Sequence, residues 1–201
     1  MKKTRLKDII IISIAGIAVL AMLIFCVKHL FSGSGSFLVR KGGIENYSRK
    51  YDQEIKTAAG RYGLPPALVK AVIMQESRFN PAKVGGKGEI GLMQLMPPGT
   101  AGATGEWARI HNSPPPSRNE LFEVKCNLDI GCWYLARALK RWEKYDNAIE
   151  LALVQYNAGP SRAKEFAPKY YSGGVIHRIK IASTKQYVIK VMQYYREFSQ
   201  N

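Results

Sequence analysis

Apolar residues recur every three or four positions through most of the chain, which is the spacing of one face of an α-helix. No run of alternating β-branched residues competes with this pattern. The chain is therefore predicted to form an all-α domain, or an α domain with one minor β-hairpin near the glycine-rich segment 81–91. The predicted helices contain the apolar positions of Tyr47 to Tyr62, Pro66 to Ile73, Leu121 to Trp142, Ile149 to Tyr156 and Tyr187 to Phe198.

Turn-forming residues mark the ends of these predicted helices. Gly63 is a stop signal for the first helix, and Pro66 suits the first position of the second. Asp146 is a good N-cap for the fourth helix, which Gly159 and the proline after it should end. These signals predict short connections between the helices.

The N-terminal part of the chain carries a long apolar run. No charged residue stands between Ile9 and Val27, and about 19 residues at about 1.5 Å each span the roughly 30 Å hydrocarbon core of a bilayer. The basic residues of segment 1–8 are predicted to stay in the cytoplasm, so that the rest of the chain lies outside the inner membrane. A cleaved signal peptide is the alternative, disfavoured by the length of the run and by the bulky Phe25 near its end.

Composition divides the rest of the chain into a linker and one domain. Segment 28–44 contains the serine and glycine run Ser32–Ser36 and is predicted to be flexible. Residues 45–201 are numerous enough for one domain with its own core, in a chain that is 46% hydrophobic. The formal net charge of +15 favours anionic partners such as cell-wall polymers, lipid head groups or nucleic acid, without choosing among them.

One carboxylate stands where an apolar residue would be expected. The apolar positions of the second predicted helix form a stripe on a helical wheel, made of Leu68, Val69, Val72 and Ile73. Glu76 falls in the middle of this stripe, at about 80° from Leu68. A buried glutamate is either paired for structural reasons or functional, and the wheel alone does not separate the two.

Three ordered segments change that balance: residues 76–81 (ESRFNP), 88–97 (GEIGLMQLMP) and 156–160 (YNAGP). Within them, Glu76 supplies a carboxylate, Gln94 and Asn157 supply amides and Tyr156 supplies an aromatic ring, which is the composition expected of a carbohydrate cleft. In this order they resemble the signature of the soluble lytic transglycosylase catalytic domain, which is lysozyme-like. The helix around Asn127 to Leu135 and the later residues Thr184, Tyr187 and Val188 extend the resemblance over nearly everything after Tyr47.

The resemblance implies a role for each matched residue. Glu76 would be the catalytic acid and base, and Ser77 would form a hydrogen bond near it. The sugar site would be lined by residues of the later segments, namely Met93, Gln94, Tyr156, Asn157 and Tyr187. Members of the family usually carry a proline and a glutamate where Lys180 and Ser183 stand, and often a serine at Gly85, so the fit of the last helix and the preferred stem peptide are expected to differ here.

The resemblance further implies a peptidoglycan lytic transglycosylase that cleaves the bond between N-acetylmuramic acid and N-acetylglucosamine and leaves 1,6-anhydro ends. A general acid must be protonated near neutral pH, so the pKa of Glu76 has to rise from about 4.3. Two alternatives stay open. One is a hydrolysing muramidase of the same fold, which needs a second carboxylate about 5–9.5 Å away, with Asp129 and Glu89 as candidates. The other is a non-catalytic protein that binds the cell wall or takes part in envelope assembly.

No cofactor or metal is expected. Gly86, Gly88 and Gly91 have the spacing of a dinucleotide fingerprint, but a helix rather than a strand precedes them. The histidines are isolated, and nucleic acid is disfavoured because the basic residues are dispersed and the domain faces outward. Cys126 and Cys132 lie six residues apart on a predicted helix, too far apart for a disulfide, and are expected to be two buried thiols.

Overall fold

The computed structural model describes residues 49–97, 99 and 102–200. The predicted cytoplasmic segment 1–8, membrane helix 9–27 and linker 28–44 lie outside the described residues. The chain divides into two compact units, and the described residues belong to the second unit, Ser48–Asn201. Within the described ranges, no helix has both the length and the apolar character needed to cross a bilayer.

The described part of the chain is helical and contains no β-strand. Two 3₁₀ turns, Glu120–Phe122 and Ile176–Arg178, precede the longest helices. The α-helices in chain order are α1 Asp52–Arg61, α2 Pro66–Glu76, α3 Ala103–Ile110, α4 Val124–Trp142, α5 Ala148–Ala158, α6 Pro160–Phe166 and α7 Ala182–Ser199.

The connection between α1 and α2 follows the predicted turn chemistry. Gly63 adopts a left-handed conformation with φ of 65°, which glycine reaches without a Cβ penalty. Pro66 is the first residue of α2, where its missing N–H removes no helical hydrogen bond. The apolar stripe of α2 is fully buried, as the wheel predicts, and α2 ends at Glu76.

One apolar core holds the helices together. α2 packs along α7, and α5 contacts α4, α6 and α7. Burying apolar surface stabilises the fold by about 25 cal/mol per Å², so large side chains without solvent exposure contribute most. These include Ile55, Leu68, Ile73, Leu128, Leu135 and Leu151. This packing holds the C-terminal end of α2 against α7.

The minor hairpin does not form as two strands. In its place the glycine-rich loop contains two isolated antiparallel bridges, Val84 with Ile90 and Ile90 with Leu95. Ile90 is fully buried and takes part in both bridges. The loop after α2 is thus folded back on itself and anchored to the core.

Three helix boundaries differ from the prediction. Helix α1 begins at Asp52, so Tyr51 of the predicted helix is its N-cap residue. Leu121 lies in a 3₁₀ turn rather than in α4, which begins at Val124. The N-cap residue of α5 is Asn147 rather than Asp146, whose backbone N–H donates to the carbonyl oxygen of Tyr171 at 3.0 Å. Helices α3 and α6 were not predicted, because both are short and begin beside a glycine, which usually indicates a turn.

Candidate active site

Glu76 is the last residue of α2, where the helix leaves the core. Immediately after it, Arg78 and Phe79 adopt left-handed conformations with φ of 54° and 62°, which reverse the chain. Glu76 is half-buried, and burial raises the pKa of its carboxyl group to about 7. Smaller effects partly cancel: the hydrogen bond from Tyr187 and the charge of Lys83 lower this pKa, and the charge of Glu89 raises it.

Tyr187 connects the last helix to the carboxyl group of Glu76. Its hydroxyl donates a hydrogen bond of 2.8 Å to Oε1 of Glu76, across 111 positions in the sequence. The ring is buried in the contact between α2 and α7, and burial raises the pKa of the phenol well above its usual value. Tyr187 therefore keeps its proton and is a fixed hydrogen-bond donor that orients one oxygen of the Glu76 carboxyl group.

Lys83 links Glu76 to the loop that follows it. Its ammonium group donates to the backbone carbonyl of Glu76, and its own carbonyl accepts a hydrogen bond of 3.1 Å from Nε2 of Gln94. Nε2 of Gln94 also donates to the carbonyl of Gly91 at 2.9 Å. Gln94 itself has φ of 49°, a left-handed conformation that non-glycine residues rarely adopt. The amide group of Gln94 is thus held in one orientation, and Lys83 links it to the backbone of Glu76.

Asn127 anchors the same loop to α4. This fully buried side chain of α4 accepts a hydrogen bond of 2.8 Å from the N–H of Met93 and donates to the carbonyls of Ile90 and Leu121 at 2.9 and 2.8 Å. A Cβ at Gly91 would collide with the Asn127 amide, so the glycine permits this approach. Asn127 was not predicted as a site residue, although an amide on the apolar face of a helix is a recognisable signal.

Met93 and Tyr156 form one connected part of the site. The hydroxyl of Tyr156 donates to the carbonyl oxygen of Met93 at 2.9 Å. Met93 has no exposed surface, and its sulfur packs where a Cβ of Gly131 would lie. Close packing against α4 thus buries the Met93 side chain, and its place in the lining of a sugar site stays a prediction. Tyr156 remains half-buried at the C-terminal end of α5.

Asn157 and Ser77 have different surroundings. Asn157 is exposed, and its Oδ1 accepts a hydrogen bond of 2.9 Å from the buried Thr184 hydroxyl. Ser77 is buried, and its hydroxyl donates to the carbonyl of Ile73 at 3.3 Å. The hydrogen bond of the Ser77 hydroxyl is thus directed back to the backbone of α2 and not to the Glu76 carboxyl group.

The two candidate second carboxylates have different environments. Asp129 forms an ion pair with Arg61 and accepts a hydrogen bond of 3.0 Å from the Tyr62 hydroxyl, which ties it to α1. Glu89 lies in the loop next to Gln94, and its charge reaches Glu76. Of these two groups, Glu89 is the one in electrostatic contact with Glu76.

A cavity of about 460 Å³ lies between α3 and the start of α6. Tyr134 is in its wall, and the rings of Tyr134 and Tyr156 are 5.7 Å apart. Its volume is in the usual range for ligand sites. The cavity does not include Glu76, so the raised pKa and the hydrogen bond from Tyr187 define the candidate reaction centre. Its other lining residues are Gly102, Gly105, Glu106, Arg109, Gly159 and Pro160.

Cys126 and Cys132, the cysteines in the part of the chain that the structure describes, are both free thiols. Cys132 is fully buried, whereas Cys126 is only partly buried, which corrects the expectation of two buried thiols. Burial raises the pKa of Cys126 to about 11, so this thiol stays protonated at neutral pH. Within the described residues, no group of three or more His, Cys, Asp or Glu side chains has the arrangement of a metal site.

Comparison with known proteins places these residues in a family. Residues 53–175 match the model of the transglycosylase SLT domain. Membrane-bound lytic murein transglycosylase C of Serratia proteamaculans is 35% identical over 98 residues, which cover 46% of this chain and 25% of that protein. The soluble lytic murein transglycosylase of Escherichia coli K12 is 29% identical over 161 residues, which cover 77% of this chain and 24% of that protein.

Two solved structures have a similar fold. The lytic transglycosylase Slt of Pseudomonas aeruginosa, solved as an inactive Glu-to-Gln mutant, superposes with a TM-score of 0.62 at 28% identity, covering 74% of this chain and 24% of that one. The 70 kDa soluble lytic transglycosylase of Escherichia coli also has a TM-score of 0.62, at 25% identity, covering 75% of this chain and 25% of that one. The all-helical fold is thus that of the lysozyme-like SLT domain.

The chain spans about a quarter of the length of the curated relatives described above. The segment that matches the family model is more than half of the 201 residues, and it contains Glu76, Gln94 and Tyr156. The chain therefore belongs to the transglycosylase SLT domain family.

Proposed function

We propose that this protein is a peptidoglycan lytic transglycosylase in which Glu76 is the single catalytic acid and base. The observation that carries the proposal is the Glu76 carboxyl group itself: burial raises its pKa to about 7, and Tyr187 orients it. A pKa close to the working pH suits a group that must both give and take a proton. The names of the relatives, which are lytic murein transglycosylases, support the same substrate class.

The proposed reaction uses the carboxyl group of Glu76 twice, first as an acid and then as a base. Protonated Glu76 gives its proton to the glycosidic oxygen, and the electron pair of the bond between C1 of N-acetylmuramic acid and that oxygen leaves with the oxygen. The resulting Glu76 carboxylate then accepts the proton of the muramyl C6 hydroxyl while the C6 oxygen bonds to C1. Glu76 is protonated again at the end, no water is consumed, and the product carries a 1,6-anhydro ring.

The other predicted site residues have supporting roles in this proposal. Tyr187 donates to Oε1 of Glu76 and leaves the second carboxyl oxygen for the substrate. Gln94, Tyr156 and Asn157 would contact the sugars. Met93 and Ser77 would act from within the core, Met93 through its carbonyl contact with Tyr156 and Ser77 through the end of α2.

The hydrolysing alternative requires a carboxylate that holds a water molecule opposite the scissile bond. Asp129 is a poor candidate because its carboxylate already forms an ion pair with Arg61 and accepts a hydrogen bond from Tyr62. Glu89 is close enough to affect the pKa of Glu76, so it is the residue to consider if water proves to be the nucleophile. An intramolecular C6 hydroxyl needs no such second group, since the substrate already holds it in place.

Replacing Glu76 tests the catalytic proposal. The Glu76→Gln variant keeps the shape of the side chain and an oxygen that can accept from Tyr187, but it can neither give nor take the transferred proton. We expect clearing of a peptidoglycan suspension to fall about 1,000-fold, since general acid–base catalysis contributes roughly 10²–10⁴-fold. The Glu143→Gln variant changes an exposed carboxylate paired with Lys140 and is the matched control.

Equal folding of both variants has to be shown by their unfolding midpoints. Wild-type activity in folded Glu76→Gln would exclude Glu76 as the acid. Peptidoglycan binding without clearing by the wild-type protein would instead support the non-catalytic alternative.

We also propose that the run from Ile9 to Val27 anchors the domain in the inner membrane, with residues 1–8 in the cytoplasm and residues 45–201 outside. The uncharged run, its basic flank and the membrane-bound relatives support this. The full chain should sediment with membranes and resist extraction by high salt, because hydrophobic burial is not screened by ions. A variant lacking residues 9–27 is the control and should stay in the supernatant. Release of the full chain by salt would contradict the anchor.

A further inference from the structure

Lys83 lies where the chain returns from the end of α2 into the glycine-rich loop. Two short turns bring it back: the N–H of Asn80 donates to the carbonyl of Ser77 at 3.2 Å, and the N–H of Lys83 donates to the carbonyl of Asn80 at 3.3 Å. Glu76 is the last residue of α2, so its carbonyl has no partner inside the helix. The ammonium group of Lys83 donates to this carbonyl, and a cation also suits the partial negative charge of a helix C-terminus.

The backbone of Lys83 binds the other side of the site. Its carbonyl oxygen accepts the N–H of Gly91 at 2.9 Å and Nε2 of Gln94 at 3.1 Å. These two bonds use both lone pairs of the carbonyl oxygen. The side chain of Lys83 thus holds the end of α2, and its backbone holds the turn that carries Gln94. This one residue therefore fixes the position of the Glu76 segment relative to the Gln94 segment.

The charges around the Glu76 carboxyl group also come from this loop. Tyr187 of α7 and Tyr156 of α5 interact with Glu76, but burial raises the pKa of both phenols well above the usual value, so both stay neutral. Among the described residues, the charged groups that act on the carboxyl are Lys83, which lowers its pKa, and Glu89, which raises it. The two charges therefore oppose each other at the reaction centre.

We propose that Lys83 is a positioning residue for Glu76: it clips the end of α2 to the turn that carries Gln94, and its ammonium charge, opposed by that of Glu89, controls the protonation of Glu76. Neither Lys83 nor Glu89 has to touch the glycan in this role. The inference rests on the proposed function for the reaction that Glu76 performs. It gives Glu89 an electrostatic role in place of that of a hydrolytic base.

The pH dependence of peptidoglycan clearing by the full chain tests the electrostatic part. Lys83→Met keeps the length of the side chain but removes its charge, so the alkaline fall in rate should move about 0.3–0.5 pH unit higher. Glu89→Gln keeps an oxygen that can accept the N–H of Lys87, and the fall should move about 0.2–0.4 pH unit lower. The double variant should return close to the wild-type pH, because both opposing charges are gone. Lys87→Gln, an exposed lysine of the same loop, is the matched control and should move nothing.

The rate at acidic pH tests the positioning part. Glu76 is protonated there in every variant, so differences in rate report geometry rather than charge. Lys83→Met should lose about tenfold, since small misplacements of catalytic groups are costly. Lys83→Arg keeps a charged donor and should restore both the rate and the pH dependence. The double variant should stay slow at acidic pH although its alkaline fall returns, which separates the two effects of Lys83.

The contrary outcomes are distinct. A slow Lys83→Met protein with wild-type pH dependence would reduce Lys83 to a structural residue and overturn the inference, as would an unchanged rate and pH dependence. Loss of activity at every pH in folded Glu89→Gln would make Glu89 a hydrolytic base and overturn the single-carboxylate proposal as well. Unfolding midpoints identify misfolded variants, and if Lys83→Met does not fold, the downward shift in Glu89→Gln still decides the electrostatic part.

A readout without activity keeps this inference separate from the proposed function. Carbon-13 NMR of labelled glutamate side chains follows the titration of Glu76 directly, with the Glu76→Gln protein identifying its signal. The titration should move up in Lys83→Met and down in Glu89→Gln whether or not the protein cleaves the cell wall. Unmoved titrations in an active enzyme would overturn the role of Lys83 alone, and shifted titrations in an inactive one would overturn only the proposed function.

Discussion

At the residue scale, two opposing influences act on the carboxyl group of Glu76. Burial favours its neutral form, whereas the hydrogen bond from Tyr187 and the charge of Lys83 favour its ionised form. The balance leaves the pKa near 7, so both protonation states are accessible at neutral pH. This suits a mechanism in which one group gives a proton and then recovers one.

The first residue-scale prediction concerns the pH dependence of activity. Only protonated Glu76 can start the reaction, so kcat/KM should be constant at acidic pH and fall as the pH rises through about 7. Tyr187→Phe removes the hydrogen bond that favours the carboxylate, and the fall should move about 0.5–1 pH unit higher. A pH-rate profile that falls near pH 4.5 in the wild-type protein would contradict a raised pKa.

The same raised pKa predicts a pH-dependent stability. Folding favours neutral Glu76, so its contribution is fully present below about pH 4.5 and is lost as the pH rises through about 7. Glu76→Gln lacks this dependence and should therefore gain stability relative to wild type by about 2 kcal/mol between pH 5 and 8, after allowing for partial solvent exposure. Denaturant unfolding of both proteins at the two pH values measures the difference. A constant difference would indicate an ordinary pKa.

The sequence predicts some of these residue-scale features and not others. The helical wheel of α2 places Glu76 in an apolar stripe, because side-chain direction in a helix follows from spacing alone. Its partner Tyr187 lies 111 positions away, and periodicity contains no information about which side chains meet across helices. The resemblance named Tyr187 as a site residue, but its hydrogen bond required the structure. Likewise, the sequence around Met93 does not show that its sulfur packs against Gly131, which has no side chain to block it.

At the element scale, α4 supports the loop that carries Gln94. Asn127 makes three hydrogen bonds to backbone groups of that loop and of the preceding 3₁₀ turn. Buried backbone groups without partners are costly, so a loop of this irregular shape needs such a side chain. Asn127 therefore determines where Gln94 lies relative to the end of α2.

Replacing Asn127 tests this support. Asn127→Ala removes three buried hydrogen bonds, among them the partner of the Met93 N–H, and should lower the free energy of unfolding by about 2–4 kcal/mol. The activity of the folded fraction should also fall, because Gln94 loses its fixed position. Lys125→Ala, an exposed change on the same helix, is the control and should affect neither quantity. Wild-type stability of Asn127→Ala would show that the loop is held by other contacts.

Periodicity predicted the long helices better than the short ones. Helices α2, α4 and α7 bury continuous apolar stripes, which is what sequence spacing detects. Helix α3 begins after Gly102 and helix α6 after Gly159, and with 8 and 7 residues both are too short to show a repeated apolar stripe. Both helices are fixed by packing against their neighbours rather than by local signals.

At the scale of the whole molecule, the described domain is one helical unit whose site lies where α2, α7 and the glycine-rich loop meet. The chain spans about a quarter of its curated relatives, so the proposal assigns the reaction to this domain alone. A net charge of +15 favours association with an anionic wall polymer. This association is expected to weaken with salt, whereas anchoring through residues 9–27 is not.

The product of the reaction tests the central claim most directly. The full chain is incubated with purified peptidoglycan in water enriched in heavy oxygen, and the released muropeptides are analysed by mass spectrometry. If Glu76 acts alone with the muramyl C6 hydroxyl as nucleophile, the new ends are 1,6-anhydro sugars, which are lighter than reducing ends by one water and contain no label. Labelled reducing ends as the main product would contradict this account, since they require a hydrolytic water and a second carboxylate to activate it.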